Sequence, residues 1–262
     1  MKRREFIAAM GATVAWQPAS RAQQPPASEL APQGKLRVGL LGYNPVLLTR
    51  KADGAIDGVS VRLGQFIAEK LGVAFEPVVY TTPQAGVDSY STNQWEILIG
   101  PRSPATEQKM DFSSDFMLVD NLYIARQGLN FADATQVDRP GIRIGVAQNG
   151  VPDQFLTRSL KSAELVRVAA PVEIAVETLR SGSADVFASN GQIVYAVAAE
   201  LPAAKVVPGT WLSVRMAIAI PKGKAPAAIS KLSEIVDLAK SSGLVQKAID
   251  DAGLKAVHVP PI

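Results

Sequence analysis

The chain has 262 residues and a hydrophobic content of 47%, which suits a globular protein with one large or two small cores. Four of its 27 basic residues and one of its 24 acidic residues lie in the first 22 positions, so the rest of the chain has 23 of each and is neutral. Neutrality argues against binding of nucleic acid, which requires a basic surface.

Residues 1–22 have the pattern of an export signal peptide. The basic residues Lys2–Arg4 precede the apolar run Ile7–Trp16, and Ser20–Ala22 supplies the small residues of a cleavage site. The apolar run is too short to span a bilayer, which takes about 20 residues, so we expect the mature chain to start at Gln23. The arginine pair fits the twin-arginine route, and the general secretory route stays equally open.

The chain contains no cysteine, although an exported protein can form disulfides. We therefore expect packing alone to hold the fold, and no lipidated cysteine to tether it to a membrane. These features predict a soluble protein in the periplasm of a Gram-negative cell.

Alternating strands and helices follow a linker. Residues 23–34 are rich in proline and small polar residues and are predicted to form an extended linker. In the helix predicted over Val59–Leu71, apolar residues recur at helical spacing and Gly72 is the expected C-cap. The first series has strands predicted over residues 35–41, 73–80 and 96–99, with this helix after the first strand and a loop over residues 81–93 before the last.

A second series begins after an apolar stretch over residues 117–125. Two series of about 90 residues each predict two α/β lobes with parallel sheets. A helical tail over residues 227–249, broken at Gly243, belongs to neither series and is expected to pack on one lobe. The strands of the second series are predicted over residues 142–147, 165–168 and 184–188. Its helices are predicted from about residue 152 and over residues 171–180 and 193–201.

The loop after the strand over residues 96–99 is a candidate binding loop. Ligands of open α/β sheets sit beyond the carboxyl ends of strands. Gly100 would let a ligand approach the backbone closely, and Arg102 and Ser103 would donate hydrogen bonds. The alternative is a tight surface turn in which Arg102 is only solvated.

A matching loop follows the strand over residues 142–147. Asn149, Gly150 and Val151 lead into a helix that begins near Pro152, whose free N–H groups and dipole favour an anion. Asp153 is the alternative, because its carboxylate would satisfy the same helix end without any ligand.

Six segments, in their order and spacing, resemble one family, the periplasmic solute-binding proteins of polar amino-acid ABC transporters (bacterial extracellular solute-binding proteins, family 3). The resemblance runs from about Lys35 to the end of the chain. The segments are LRVGLLGYNP, GAIDGVSVRLGQFIAEKLGV, WEILIGPRSPATEQKMDFS, RIGVAQNG, SGSADVFASN and SVRMAIAIPKG.

The resemblance implies the type II periplasmic-binding-protein fold, an α/β fold of two lobes. Each lobe would be a mostly parallel sheet flanked by helices, and two hinge crossings near residues 121–126 and 211–216 would join them. Lobe one would comprise residues 35–120 and 216–262, and lobe two residues 125–210. A ligand would be enclosed when the lobes close.

Two departures from the family concern the charges that bind an amino acid. The family binds the ligand carboxylate with an arginine, but here that loop is shorter and the position falls on Thr106 or Gln108. The family binds the ligand ammonium with an aspartate, and that position falls on Asn190. An unpaired ammonium group in a closed cleft is costly, so we expect an uncharged or singly anionic ligand, unless Arg102 replaces the missing arginine.

Tyr43 and Asn44 end the first strand, where the family places an aromatic lid. Tyr43 can stack on a flat ligand. A turn tyrosine that only covers the edge of a lobe is the alternative.

The resemblance implies the substrate-binding component of an ABC importer. It would act as a monomer and deliver a small polar solute (amino-acid-like, organic acid or amide) to an inner-membrane permease. No cofactor or metal is expected, because His258 is the sole histidine and cysteine is absent. No set of catalytic side chains can be assembled, so we do not expect an enzyme. An enzyme on this scaffold, similar to periplasmic cyclohexadienyl dehydratase, and a ligand sensor for a membrane receptor remain the alternatives.

Overall fold

The computed structural model describes residues 29–169 and 172–262. The predicted signal peptide and residues 23–28 of the predicted linker lie outside the described residues. Within them, no helix is both long and apolar enough to cross a bilayer.

The structure is a mixed α/β fold built around one large sheet. The strands are β1 Lys35–Leu41, β2 Thr49–Arg50, β3 Ile56–Asp57, β4 Ala74–Tyr80, β5 Ile97–Pro101, β6 Met110–Ala125, β7 Arg143–Ala147, β8 Glu164–Val168, β9 Val186–Asn190, β10 Lys205–Pro221 and β11 Val257–His258. The α-helices are α1 Val59–Leu71, α2 Pro83–Asp88, α3 Pro104–Glu107, α4 Val151–Ser159, α5 Val172–Arg180, α6 Gly191–Glu200, α7 Pro226–Ser241 and α8 Leu244–Asp251, with short 3₁₀ turns at Ser89–Ser91 and Ala134–Gln136.

The strand order in the large sheet is β4-β1-β5-β10-β6-β9-β7-β8, with β11 also paired to β6, and β2 and β3 form a separate small sheet. β1 runs parallel to β4 and β5, and β7 runs parallel to β8 and β9. Two parallel groups therefore flank the antiparallel pair of β6 and β10.

β6 and β10 are 16 and 17 residues long and belong to both groups. The end of β10 pairs with β5, and the end of β6 pairs with β9. Their mutual pairing is interrupted between Val207 and Leu212 of β10. These two strands are the crossings that the resemblance implied.

Separate hydrophobic cores pack on the two groups. The first core unites β1, β5 and α1 with α7 and α8, through residues such as Leu63, Ile99 and Leu232. Two smaller cores cover opposite faces of the β7–β9 group, with Val146 in one and Phe187 in the other. The helical tail thus packs on the first group, as expected.

Local signals explain where most elements begin and end. α1 spans the predicted residues and ends at Gly72, which adopts the left-handed conformation of a C-cap. The predicted loop over residues 81–93 instead contains α2, which begins at a proline, a residue whose fixed φ suits the first helical turn. The expected linker also differs from residue 29 onward, because Leu30 is buried in the first core and the Glu29 carboxylate accepts a hydrogen bond from the Ala225 N–H.

Candidate functional site

The two parallel groups point the carboxyl ends of their strands at each other. β5 ends at Pro101, which lies opposite Met216 of β10, and Met216 lies opposite Met117 of β6. β9 ends at Asn190, opposite Asn121 of β6. These two points are four residue steps apart along β6, or about 13 Å of extended strand. The loops after β1, β5, β7 and β9 therefore border one cleft.

Gly100 lies in β5 just before this edge and is buried. A Cβ added to it would lie 2.9 Å from Leu41 Cδ1 and 3.1 Å from Leu98 Cδ2. Packing of β5 against its neighbours therefore requires a glycine here, whether or not a ligand approaches the backbone as the sequence predicts.

Arg102 lies in a cluster of two arginines and two carboxylates. Its Nε donates to Glu107 Oε1 at 2.6 Å, and its Nη1 lies 3.6 Å from Asp115 Oδ1. Arg215 lies 3.8 Å from both carboxylates, and the Arg102 guanidinium also lies 5.7 Å from the centre of the Phe112 ring. The hydrogen bond from Arg102 holds the pKa of Glu107 below its usual value. The cluster is internally neutral, so the expected charge of Arg102 is already paired.

Ser103 caps the short helix α3. Its Oγ accepts from the Thr106 N–H at 3.3 Å, and Thr106 Oγ1 accepts from the Ser103 N–H at 2.9 Å. This reciprocal capping box occupies one of the two positions to which the family's arginine was assigned. The Ser103 hydroxyl therefore serves the loop itself.

Tyr43 and Asn44 follow β1 with different surroundings. Tyr43 is 36% exposed, and burial of the rest of its ring, with the nearby Tyr90, raises the pKa of Tyr43 to about 12. The Tyr43 phenol is thus neutral at physiological pH and can donate a hydrogen bond. Asn44 Oδ1 accepts from the Val46 N–H at 3.1 Å, which shapes the turn.

The loop after β7 is held by Asp153 of α4. Asn149 has a φ of 62°, and its N–H donates to Asp153 Oδ2 at 2.9 Å. The buried Asp153 also accepts from Thr157 Oγ1 at 3.1 Å and from Arg167 Nε at 2.9 Å. The carboxylate of Asp153 therefore lies at the start of α4, as in the alternative given above. Its negative charge makes binding of a second anion at this helix end less favourable.

Two further residues, Gly150 and Val151, join this loop to α4. Gly150 is the N-cap of α4 and has no side chain to satisfy the helix end. Val151, the first residue of α4, is 37% exposed. Val151 therefore presents an exposed apolar side chain just after the end of β7.

Asn190 ends β9 and caps α6, because its Oδ1 accepts from the Ile193 N–H at 3.1 Å. Asp185, five residues earlier, is buried and accepts from Arg143 and Arg126 at 3.0 Å. The Asp185 carboxylate therefore stabilises the fold of this part of the chain. The amide of Asn190 leaves this edge without a carboxylate at the position where the family has one.

Asp115 and Arg215 were not predicted from the sequence as partners of Arg102. The available signal was the presence of charged residues within the apolar strands β6 and β10. Asp115 Oδ1 is buried and has no hydrogen-bond partner, because the 3.6 Å to Arg102 is too long for one.

An aromatic stack lies beside the second crossing. Trp211 stacks on Tyr123 with ring centres 5.0 Å apart and contacts Phe155 of α4 at 5.7 Å. Burial raises the pKa of Tyr123, and the nearby Asp138 adds to the effect. Trp211 thus joins the crossing to the helix that borders the cleft.

Two surface cavities, of about 540 and 440 Å³, lie away from the cleft, and no candidate residue lines either of them. One lies between α1 and α8, and the other lies beside Arg126 and Leu201. In the described parts of the chain, no group of histidine or carboxylate side chains could hold a metal ion.

Comparisons with known proteins agree with this architecture. The sequence model of the bacterial extracellular solute-binding proteins, family 3, matches residues 36–252. No curated protein matches the sequence at a significant level.

Many solved structures share the fold. The solute receptor for L-cysteine of Neisseria gonorrhoeae is 19% identical, with a TM-score of 0.68 over 90% of this chain and 99% of that one. A putative ABC transporter binding component from Wolinella succinogenes, complexed with lysine, is 20% identical, with a TM-score of 0.69 over 84% and 95%. The ancestral amino acid-binding protein AncCDT-1, a precursor of cyclohexadienyl dehydratase, is 21% identical, with a TM-score of 0.66 over 86% and 98%. These similarities show the two-lobed type II periplasmic-binding-protein fold.

Proposed function

The chain belongs to the bacterial extracellular solute-binding proteins of family 3, and we propose that it is the substrate-binding component of an ABC importer. It binds a small polar solute between its two lobes and delivers the solute to a permease in the inner membrane. The observation that supports this most directly is the cleft, where strand ends from both lobes face each other across about 13 Å of β6. That width suits a solute of amino-acid size.

We propose the lobe boundaries that the sequence suggested. Lobe one comprises residues 35–120 and 216–262, and lobe two residues 125–210, which agrees with the separation of the hydrophobic cores. β6 and β10 would bend between them where the pairing before Leu212 is interrupted. Closure is favoured by contacts that the ligand makes with both lobes together.

The ligand is proposed to be uncharged or singly anionic. Arg102 is already paired with carboxylates, and Asn190 stands where an aspartate would bind an ammonium group. A zwitterion would bury its ammonium group without a partner, which is costly. An organic acid or an amide avoids that cost.

The proposed ligand contacts come from both edges of the cleft. After β1 of lobe one, Tyr43 and the adjacent Asn44 would contact the ligand, Tyr43 through its partly exposed ring. After β7 of lobe two, Val151 would contact it through an apolar side chain. Closure around a ligand would bury both. Polar contacts would come from the remaining candidates, namely Gly100, Arg102, Ser103, Asn149, Gly150 and Asn190.

The family's members act outside the cytoplasm, and we propose that this protein works in the periplasm as a monomer. Export would use the predicted signal peptide, by the twin-arginine or the general secretory route.

A thermal-shift screen of residues 23–262 tests the proposal. The protein is first unfolded and refolded to remove any bound solute, then mixed with amino acids, organic acids, aromatic acids and amides. A ligand at 100 times its Kd adds about 2.7 kcal/mol to the free energy of unfolding. A shift with organic acids or amides alone supports the proposed ligand class, whereas a shift with an α-amino acid contradicts it. No shift with any small solute contradicts the binding function itself.

A separate turnover assay on the same refolded protein distinguishes binding from catalysis. One relative is an ancestral precursor of cyclohexadienyl dehydratase, so the protein is also incubated with a prephenate-like acid. We expect the acid to be recovered unchanged. Its conversion to a dehydrated product would show an enzyme instead of a carrier.

A further inference from the structure

The chain after α8 touches both lobes. We call residues 254–261 the strap. Leu254 and Val257 of the strap pack against the first core, whereas Ala256 between them packs against a core of the second lobe. A single short segment thus contributes to the packing of both lobes.

One end of the strap is anchored to lobe one and to the first crossing. Val257 and His258 form β11, which pairs with Val119 and Leu118 of β6. The backbone N–H of Asp120 donates to the Ala256 carbonyl at 2.9 Å. Farther along, the buried Lys240 of α7 donates from Nζ to the Pro261 carbonyl at 3.0 Å.

The other side of the strap contacts the first turn of α6 in lobe two. The Lys255 N–H donates to Gln192 Oε1 at 3.2 Å, and Lys255 Nζ lies 5.3 Å from the centre of the Tyr195 ring. Gly191 is the point of closest approach, since a Cβ there would lie 2.2 Å from Ala256 Cβ. Ala256 has a φ of 55°, a conformation that residues with a Cβ seldom adopt, so its position is determined by these surroundings.

We propose that the strap is a third connection between the lobes, which positions the start of α6 and restrains the opening of the cleft. Asn190, the cap of α6, is a candidate ligand residue, so the strap holds a ligand-contacting edge of lobe two against lobe one. Gly191 and Ala256 are positioning residues in this scheme, because they contact each other and not the ligand. The restraint acts with or without a bound solute and goes beyond the proposed function.

The test measures the distance between the lobes in the absence of ligand. The chain has no cysteine, so spin labels can be attached at Glu69→Cys on α1 and Glu173→Cys on α5, both exposed positions. Pulsed electron–electron double resonance then gives the distribution of distances between the two spin labels, and hence between the lobes. We expect a narrow distribution for the unaltered strap.

Gly191→Ala places a methyl group where Ala256 lies, and we expect it to broaden the distribution. The double variant Gly191→Ala/Ala256→Gly removes the opposing methyl group, and we expect the narrow distribution to return. An unchanged width in Gly191→Ala, or equal broadening in the single and double variants, would overturn the proposal.

Gln192→Ala covers the case in which Gly191→Ala does not fold. It removes the acceptor of the Lys255 N–H without introducing a clash, and a smaller broadening is expected. A width identical to that of the parent protein would then count against the strap. None of these outcomes depends on a ligand, so they are independent of the solute screen.

Discussion

Asp185→Asn tests whether a buried carboxylate holds the core of lobe two together. Asp185 Oδ1 accepts from Arg126 Nε and Arg143 Nη2, and Oδ2 accepts from the backbone N–H and Nε of Arg143, all at 3.0 Å. The Asp185 side chain is 7% exposed, whereas each arginine side chain is 38% exposed. The carboxylate is therefore shielded, but its partners can be rehydrated.

The cost of the substitution follows from this geometry. An asparagine oxygen can keep two of the four hydrogen bonds, while its amide group faces two N–H donors. Hydrogen bonds to charged groups contribute about 1.5–3 kcal/mol each, and hydration of the half-exposed arginines recovers part of the loss. We expect the free energy of unfolding to fall by about 3 kcal/mol, which lowers Tm by roughly 6–12 °C in a chain of this size.

The pH dependence separates charge from shape. Burial alone would raise the pKa of Asp185, but hydrogen bonds from Arg143 and Arg126 outweigh it and hold the pKa below its usual value. The contribution of the carboxylate is therefore complete above the unfolded-state pKa of about 3.9 and is lost as pH falls through the lower folded-state pKa. The stability difference between parent and variant should be constant from neutral pH to about pH 5 and shrink below about pH 4.

Urea unfolding of both proteins across this pH range measures the difference, with Asp250→Asn as the control. Asp250 is exposed, and its carboxylate accepts from Gln246 on the same helix, so loss of its charge should change stability by less than about 0.5 kcal/mol. A difference for Asp185→Asn that keeps its size at low pH would refute the charge argument and show that shape alone is responsible.

Three further predictions concern the cleft. Tyr43→Ala should weaken binding of the screened ligand about two- to tenfold, since a stacking contact contributes about 0.5–1.5 kcal/mol. Calorimetry with Leu238→Ala, an apolar loss far from the cleft, is the comparison, and equal effects would remove Tyr43 from the site. Arg102→Ala should abolish binding of an anionic ligand whose carboxylate displaces Glu107 from the Arg102 guanidinium, and it should spare a neutral ligand. Unchanged affinity for the anion would show that Arg102 serves only its ion-pair cluster. Gly100→Ala should destabilise the protein by about 1–3 kcal/mol in urea, because its methyl group would lie 2.9 Å from Leu41; wild-type stability would show that β5 can shift.

The helices and strands were largely predictable because their signals are local. α1 could be placed to the residue, since its apolar spacing and Gly72 lie within one segment. α2 was missed because it is short and its sequence carries turn residues throughout. The linker was extended too far because the burial of Leu30 depends on a core made by distant residues.

The candidate loops could also be located, because a strand end in an α/β sheet marks the edge where ligands bind. The state of each side chain could not. Whether Arg102 is free or paired depends on Asp115 and Arg215, which two other strands bring beside it. Whether the start of α4 can hold an anion depends on Asp153 and its bond from Arg167.

The sequence by itself determined the two-series α/β architecture, its longer elements and the family, because hydrophobic periodicity and turn residues act over a few neighbouring positions. The tertiary structure alone decided which charges are already neutralised in the cleft and which segment connects the lobes beside the two crossings. The physical reason is that ion pairs and close packing depend on distances of a few ångströms between residues such as Gly191 and Ala256, which only the folded chain brings together.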